Sequence, residues 1–191
     1  MTGVDIAVLP LCSVTAASTA VHGIGQGPQE VEKWFQKYRH KKENLTKLRS
    51  YFHDTMSGKD PAAVRVAEAE NTAQFPTLFG AVYVIDDLLT AGPEPNSTHV
   101  GWAQRLYAFA GQEDACLLMT VKLEFSSGEF NGGGLSVRGR IPVLEHYREM
   151  PIVGGSAFFV LARGTATAQT RWLNFTTGDA VGEWHVIAIH Y

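Results

Sequence analysis

The sequence predicts an all-β fold for most of this chain, either a barrel or a sandwich. Short runs rich in β-branched and aromatic residues follow one another after about residue 46, and turn residues such as glycine and proline separate them. No helical pattern lies between these runs, which excludes an alternating β-α architecture. We expect eight strands, near residues 47–54, 63–70, 78–87, 100–110, 115–126, 133–139, 156–170 and 181–190.

Two segments precede the strands. Residues 1–28 combine small residues, glycine and proline without a sustained period, which predicts a flexible leader. Residues 29–45 predict one amphipathic helix outside the main domain, because apolar side chains recur there at helical spacing opposite a polar face; they are Val31, Trp34, Phe35 and Tyr38. The predicted β domain then covers residues 46–191.

Composition and charge exclude several classes of function. With 191 residues, 45% of them hydrophobic and 18% charged, the chain suits one packed domain. A net charge of −3 with thinly spread lysine and arginine argues against nucleic acid as a partner. No apolar run is long enough for a membrane helix, so we expect no membrane partner. Cys12 and Cys116 have no metal-ligand spacing, and we expect free thiols and no metal site.

The fourth predicted strand has two partly apolar faces. Successive strand residues point to opposite sides of a sheet, which places Arg105, Tyr107 and Phe109 on one face and Trp102 and Leu106 on the other. A strand with one face in water needs apolar residues on one side only. We therefore expect the outer face of the sheet to be covered as well, most simply by oligomerisation.

Motifs along the β domain carry a family resemblance. In chain order they read Tyr51-Phe-His-Asp54, Phe79-Gly-Ala-Val-Tyr-Val-Ile-Asp-Asp87, Val100-Gly-Trp-Ala-Gln-Arg-Leu-Tyr107, Tyr147-Arg-Glu-Met-Pro-Ile-Val-Gly-Gly155 and Leu161-Ala-Arg-Gly164. In order, spacing and chemistry, the chain from about residue 48 to its end resembles plant dirigent proteins. The resemblance implies an eight-stranded antiparallel β-barrel of the allene oxide cyclase type with an N-terminal helical extension. Eight strands enclose an interior just wide enough for one small ligand.

The resemblance also implies chemistry on a small aromatic molecule. Dirigent proteins control the stereochemistry of phenylpropanoid, isoflavonoid or terpenoid phenol reactions, usually as homotrimers and without a cofactor of their own. Some guide the coupling of radicals that a separate oxidase supplies. Others direct ring closure of a quinone methide, and in its enzymatic form this is a lyase-like dehydration and cyclisation. The alternative function is a non-catalytic protein that binds phenolics in defence or in the cell wall.

Two residues are the predicted catalytic pair. Asp54 shares a strand face with Phe52, so an inward-facing Asp54 places a carboxyl group in an apolar cavity, where desolvation raises its pKa and lets it protonate a leaving hydroxyl. Arg148 matches the pocket arginine of the family, and the resemblance implies that it holds a phenolate or quinone-methide oxygen. The alternatives are a turn cap at the strand end for Asp54 and a surface salt bridge for Arg148. An Arg148 close to Asp54 would oppose the effect of desolvation.

Further residues are predicted to contact the substrate. Tyr107 and Phe109 match two pocket tyrosines of the lignan-directing members, and either ring can stack on an aromatic substrate. Thr170 matches another pocket-lining position. For each of them, ordinary packing in the barrel is the simpler interpretation and is compatible with lining a cavity.

Two departures from the family pattern concern the substrate. Ile141 stands where lignan-directing members carry a second pocket acid, and Gly139-Arg-Ile-Pro142 looks more like the subgroup that includes pterocarpan-forming members. Arg105 stands where the family usually has glycine. We expect Arg105 to enter the barrel and to narrow the cavity or bind an anionic substrate. Because an unpaired buried guanidinium is costly, it needs a carboxylate partner or a place at the open rim.

The resemblance implies an extracellular location in the apoplast. Sequons at Asn44, Asn96 and Asn174 fit a secreted glycoprotein. The first residues make a poor signal peptide, because they lack a basic start and their apolar run is short. A cytoplasmic location is therefore the alternative.

Overall fold

The computed structural model describes residues 27–191, and strands make up most of this part of the chain. Cys12 and nearly all of the predicted leader lie outside the described residues. A short helix comes first and nine strands follow it; in chain order they are α1 (Pro28–Gln36), β1 (Asn44–Asp54), β2 (Ala63–Ala67), β3 (Val82–Thr90), β4 (His99–Phe109), β5 (Cys116–Phe125), β6 (Gly134–Pro142), β7 (Arg148–Ser156), β8 (Arg163–Leu173) and β9 (Ala180–His190).

Eight of the strands form a closed antiparallel barrel. Their order around the barrel is β1-β9-β8-β7-β6-β5-β4-β3, and pairing of β3 with β1 closes it. This closing seam has three residue pairs, Tyr51↔Thr90, Phe52↔Leu89 and His53↔Leu88. The ninth strand, β2, pairs with β3 beside the seam. The predicted eight-stranded antiparallel barrel is therefore confirmed.

Alternation along the strands separates an apolar interior from an outer face. On β4 the buried positions are Gly101, Ala103, Arg105 and Tyr107, whereas Trp102 and Leu106 are exposed. One end of the barrel is filled by Phe125, Phe130, Phe159 and the aliphatic residues beside them. Each fully buried residue of this size contributes about 1.5–3 kcal/mol. The interior is left partly open at the other end, where Arg105 and Tyr107 of β4 lie.

The predicted set of strands differs from the observed one in two places. Strand β7 was not predicted, because Pro151 and the glycine pair at 154–155 are unfavourable in strands. The fold accommodates Pro151, since it pairs with Thr165 of β8 while the pairing with β6 begins only at Ile152. The segment predicted at residues 63–70 is the extra strand β2, and the predicted 156–170 strand begins at Arg163.

The prediction of a helix through residue 45 is wrong. Helix α1 ends at Gln36, and β1 begins at Asn44 because Asn44 and Leu45 pair with His190 and Ile189 of β9. After α1, the ring of Tyr38 packs edge-on against that of Tyr191, with 6.0 Å between ring centroids. Within residues 27–191, no helix is long and apolar enough to cross a membrane.

Candidate active site

A cavity of about 340 Å³ lies in the open end of the barrel. It has the size of a typical small-molecule site and a mostly apolar lining. All eight residues proposed from the sequence line it: Phe52, Asp54, Arg105, Tyr107, Phe109, Ile141, Arg148 and Thr170. They come from β1, β4, β6, β7 and β8, because each strand contributes its inward positions near one end of the barrel. The structure therefore brings the predicted residues together, while their chemical roles remain predictions.

Arg105 enters the barrel and contacts two carboxyl groups. Its Nη2 donates hydrogen bonds to Oδ1 of Asp54 and to Oδ2 of Asp87, and its guanidinium lies 5.4 Å from the centre of the Phe52 ring. The side chain of Asp87 is 0% exposed, that of Arg105 is 6% exposed and that of Asp54 is 25% exposed. We call these three residues the acid cluster. The two carboxyl groups of this cluster are the partners that the buried guanidinium of Arg105 requires.

Burial and the neighbouring charges both shift the pKa values of Asp87 and Arg105. Burial raises the pKa of Asp87 to about 8; the charge of Arg105 lowers it, and the charge of Asp54 and a hydrogen bond with it raise it further. Burial also lowers the pKa of Arg105, but the negative charges of Asp54 and Asp87 outweigh this effect and raise it above its usual value. Arg105 is therefore a permanent cation, whereas Asp87 favours its neutral form.

Arg148 is separate from the acid cluster. Its Nη2 donates a hydrogen bond of 2.9 Å to Oγ1 of Thr170, and its Nε is buried without a hydrogen-bond partner. Burial lowers its pKa from the usual value of 12.5. In the strand order β7 lies across the barrel from β3, so Arg148 faces the side that carries Asp87. Arg148 lines the cavity, and the bond to Thr170 uses one of its five N–H donors, so a terminal N–H group can bind an anionic or carbonyl oxygen there.

Stacked aromatic rings form two parts of the cavity wall. Phe52 stacks on Trp184 with 4.6 Å between ring centroids and 13° between planes. Tyr107 stacks on Tyr83 at 5.2 Å and meets Phe109 edge-on at 5.8 Å. Burial raises the pKa of Tyr107, and the charge of Asp54 adds to this effect, so its hydroxyl stays protonated. The wall therefore offers flat apolar surfaces and one neutral hydroxyl.

Asp179 fixes the rim of the cavity. Its carboxylate accepts hydrogen bonds from the backbone N–H of Met56 at 2.7 Å, the backbone N–H of Ser57 at 2.9 Å and the hydroxyl of Ser57 at 2.6 Å. The bond from the Ser57 hydroxyl is the largest cause that lowers the pKa of Asp179 to about 2. The turn before β9 is thus tied to the loop after β1, and Met56 and Gly178 line the mouth of the cavity.

Sequence comparison agrees with this geometry. The sequence model of the family described as Dirigent-like protein matches residues 45–189. This chain belongs to the dirigent family.

Individual dirigent proteins are similar to most of the chain. Dirigent protein 23 of Arabidopsis thaliana is 44% identical over 149 residues, which cover 78% of this chain and 80% of that protein. Pterocarpan synthase 1 of Glycyrrhiza echinata is 44% identical over 150 residues, which cover 78% of this chain and 80% of that protein. The solved structure of the pterocarpan synthase dirigent protein GePTS1 superposes with a TM-score of 0.74 at 44% identity and covers 81% of this chain and 89% of that one. The predicted family and dirigent function are confirmed.

Two residues with a chemical part in this dirigent barrel, Asp87 beside Arg105 and Trp184 in the cavity wall, were not predicted as site residues from the sequence. Asp87 was noted only as part of a motif, although it shares its strand face with the buried Ile85 and Leu89, and this alternation was the signal of an inward carboxyl group. Trp184 alternates in the same way with Val186 and Ala188 on β9. Among the described residues, no group of three or more histidine, cysteine or acidic side chains is arranged to hold a metal ion.

The raised pKa of Asp87 predicts that the stability of this dirigent barrel depends on pH. The folded state holds the Asp87 proton up to about pH 8, whereas an unfolded aspartate releases it near pH 3.8. Because the folded state binds more protons within this window, the free energy of unfolding falls as pH rises from about 4 to about 8. Urea unfolding at a series of pH values measures this slope. We expect Asp87→Asn to flatten it and the exposed neighbour variant Asp86→Asn to keep it; an equal slope in Asp87→Asn and the unchanged protein contradicts the assignment.

Proposed function

We propose that this dirigent protein controls the stereochemistry with which a phenolic alcohol loses water and closes a ring through a quinone methide. The observation that carries the proposal is the arrangement of the cavity, in which the carboxyl group of Asp54 and the guanidinium of Arg148 line the same space as an aromatic wall. The proposed chemistry breaks one C–O bond, forms another and changes no oxidation state. It therefore needs no oxidant.

The aromatic wall is proposed to bind the rings of the substrate. Trp184 stacked on Phe52 and Tyr107 stacked on Tyr83 present flat faces inside the barrel. Aromatic pairs of this kind are worth about 0.5–1.5 kcal/mol beyond the area that they bury. A cavity of about 340 Å³ holds one molecule of a few fused or linked rings in few orientations. Restricting the orientation determines which face of the intermediate the ring-closing oxygen reaches.

The two charged sides of the cavity are proposed to act on two different oxygens. Arg148 stabilises the phenolate oxygen whose electrons expel the leaving group, since its guanidinium lines the cavity and only one of its terminal N–H groups is used by Thr170. Asp54, on the other side of the barrel, protonates the leaving hydroxyl so that it departs as water. Ile141 lines the cavity as an apolar residue, which favours such a substrate over one that needs a second acid at that position.

The outer face of the barrel is proposed to form a homotrimer interface. Apolar side chains on four adjacent strands are 41–47% exposed; they are Val64, Val84, Trp102, Leu106 and Leu118. Exposed apolar patches of this kind mark association surfaces. We also propose that the protein is secreted to the apoplast and glycosylated, and the sequon at Asn96 lies in an exposed turn between β3 and β4 that sugar can reach.

The reaction is tested with racemic isoflavanols that carry a free phenol and a second phenol able to close the ring. We expect the protein to accelerate loss of water and to give one product enantiomer in excess, measured by chiral chromatography. Asp54→Asn removes the acid and is expected to lower kcat about 10²-fold or more, with ligand affinity little changed. The exposed Asp60→Asn serves as the matched control. Uncatalysed rates and racemic product with this substrate class, or full activity of Asp54→Asn, contradict the proposal.

The trimer is tested by light scattering on the purified protein. We expect a mass of about three times the 20.9 kDa of one chain. Leu106→Asp places a charge in the proposed interface and is expected to give monomers, because burying an unpaired carboxylate is costly. Val153→Asp, at an exposed valine of β7, is the control and should leave the mass unchanged. A monomeric unchanged protein at micromolar concentration rules out the trimer.

A further inference from the structure

The acid cluster contains one more carboxyl group than the proposed chemistry uses. Asp54 lines the cavity, but Asp87 does not; it lies behind Arg105, fully buried on β3. Both carboxyl groups accept a hydrogen bond from the same Nη2 atom of Arg105, which holds them side by side. The second oxygen of Asp87 is buried without a partner. A structural salt bridge would need only one of these two acids.

Charge balance favours one retained proton in the acid cluster. Two ionised carboxylates and one guanidinium would leave a net negative charge in the barrel, and an uncompensated buried charge is costly. The ionisable groups that face Asp87 are Asp54 from β1 and Arg105 and Tyr107 from β4, and Tyr107 stays neutral. No second cation among them offsets the extra charge. One proton shared by the two carboxyl groups makes the cluster neutral.

The shared proton resides on Asp87 when the cavity is at rest. Asp87 is 0% exposed, whereas Asp54 is 25% exposed toward the cavity, so the negative charge is better solvated on Asp54. The raised pKa of Asp87 agrees with this placement. Asp54 paired with Arg105 therefore faces the substrate as a carboxylate, and it needs a proton from elsewhere to act as an acid.

We propose that Asp87 is a positioning residue that stores the proton with which Asp54 acts on the substrate, and that Arg105 holds the two carboxyl groups together for this exchange. The inference rests on the proposed dehydration and cyclisation and adds the source of its proton. It also gives Arg105 a role that does not require contact with an anionic substrate.

The exchange balances over one turnover. In the first step the proton moves from Asp87 through Asp54 to the leaving hydroxyl, the C–O bond breaks with its electron pair on oxygen, and water departs. Electrons of the phenolate at Arg148 form the neutral quinone methide, and the acid cluster is left with one negative charge. In the second step the ring-closing phenol forms the new C–O bond, and its proton returns through Asp54 to Asp87. The phenolate is regenerated at Arg148 and takes back from solvent the proton that the substrate phenol gave to solvent on binding, so substrate gives product and water.

The stored proton explains how one acid at the cavity surface suffices. Ile141 stands where a second pocket acid is expected in lignan-directing relatives, and it contributes no proton. Asp87 supplies the second carboxyl group from β3, beside the cavity lining and three strands away from the β6 strand of Ile141. The site can then give a proton and take one back at a single position, which suits a reaction whose two steps use the same region of the substrate.

The stored proton is tested without any substrate by pH-difference infrared spectroscopy, in which protonated carboxyl groups absorb apart from carboxylates. In the unchanged protein we expect a protonated carboxyl band at pH 7 that disappears with a midpoint near pH 8. The band should be absent in Asp87→Asn and retained in Asp86→Asn. If the unchanged protein shows no protonated carboxyl group at pH 7, the inference is overturned, whatever the product assay shows.

The use of the proton is tested by the pH profile of the cyclisation. We expect Asp87→Asn to lower kcat at least tenfold at pH 7 with KM little changed, and to move the active range toward acid by more than one pH unit, because Asp54 must then take its proton from solvent. A purely structural Asp87 would change stability or KM and keep the shape of the pH profile. That outcome, with the infrared band present and the unchanged protein active, overturns the relay and leaves the proposed function standing.

Discussion

One guanidinium group inside an apolar barrel binds two carboxyl groups, and the arrangement of the active site depends on this interaction. Asp54 belongs to β1, Asp87 to β3 and Arg105 to β4, so the acid cluster spans the seam at which the barrel closes. The seam itself has only three residue pairs, whereas β1 pairs with β9 along its whole length. Removing one partner of a buried ion pair typically costs about 3–5 kcal/mol. The cluster can form only when β1 pairs with β3, so its hydrogen bonds exist only in the closed barrel.

The same interaction divides the cavity into two chemically different sides. Arg105 gives the two N–H groups of its Nη2 to the acids, whereas Arg148 on the far side gives one N–H of its Nη2 to Thr170 and keeps other terminal N–H groups for a ligand in the cavity. The stacked pairs Phe52 with Trp184 and Tyr83 with Tyr107 lie on the strands of the acid cluster and on the neighbouring β9. A substrate that places a phenolate at Arg148 and a leaving hydroxyl at Asp54 is held at two points and along its rings. This is the minimum needed to distinguish mirror-image orientations.

Much of this site could be predicted from the sequence, and the remainder could not for physical reasons. Strand alternation placed Arg105, Tyr107 and Phe109 on one inward face, and family motifs pointed to Asp54 and Arg148. The partner of Arg105 was not predictable, because it depends on the register between β3 and β4 and on the closure of β1 onto β3. Strand β7 was missed because its proline and glycines obscure a strand that tertiary pairing stabilises. The helix ended early because pairing with β9 extends β1 toward the N-terminus.

The most direct test of this account is a crystal structure with a bound substrate analogue that lacks the leaving hydroxyl and cannot react. We expect one ligand inside each barrel, with an aromatic ring against Trp184 or Tyr107, its phenol oxygen at Arg148 and the unsubstituted carbon facing Asp54. Arg105 should keep both of its carboxyl partners in this complex. A ligand bound on the outer face of the barrel, or one whose reacting carbon points away from Asp54, would contradict it.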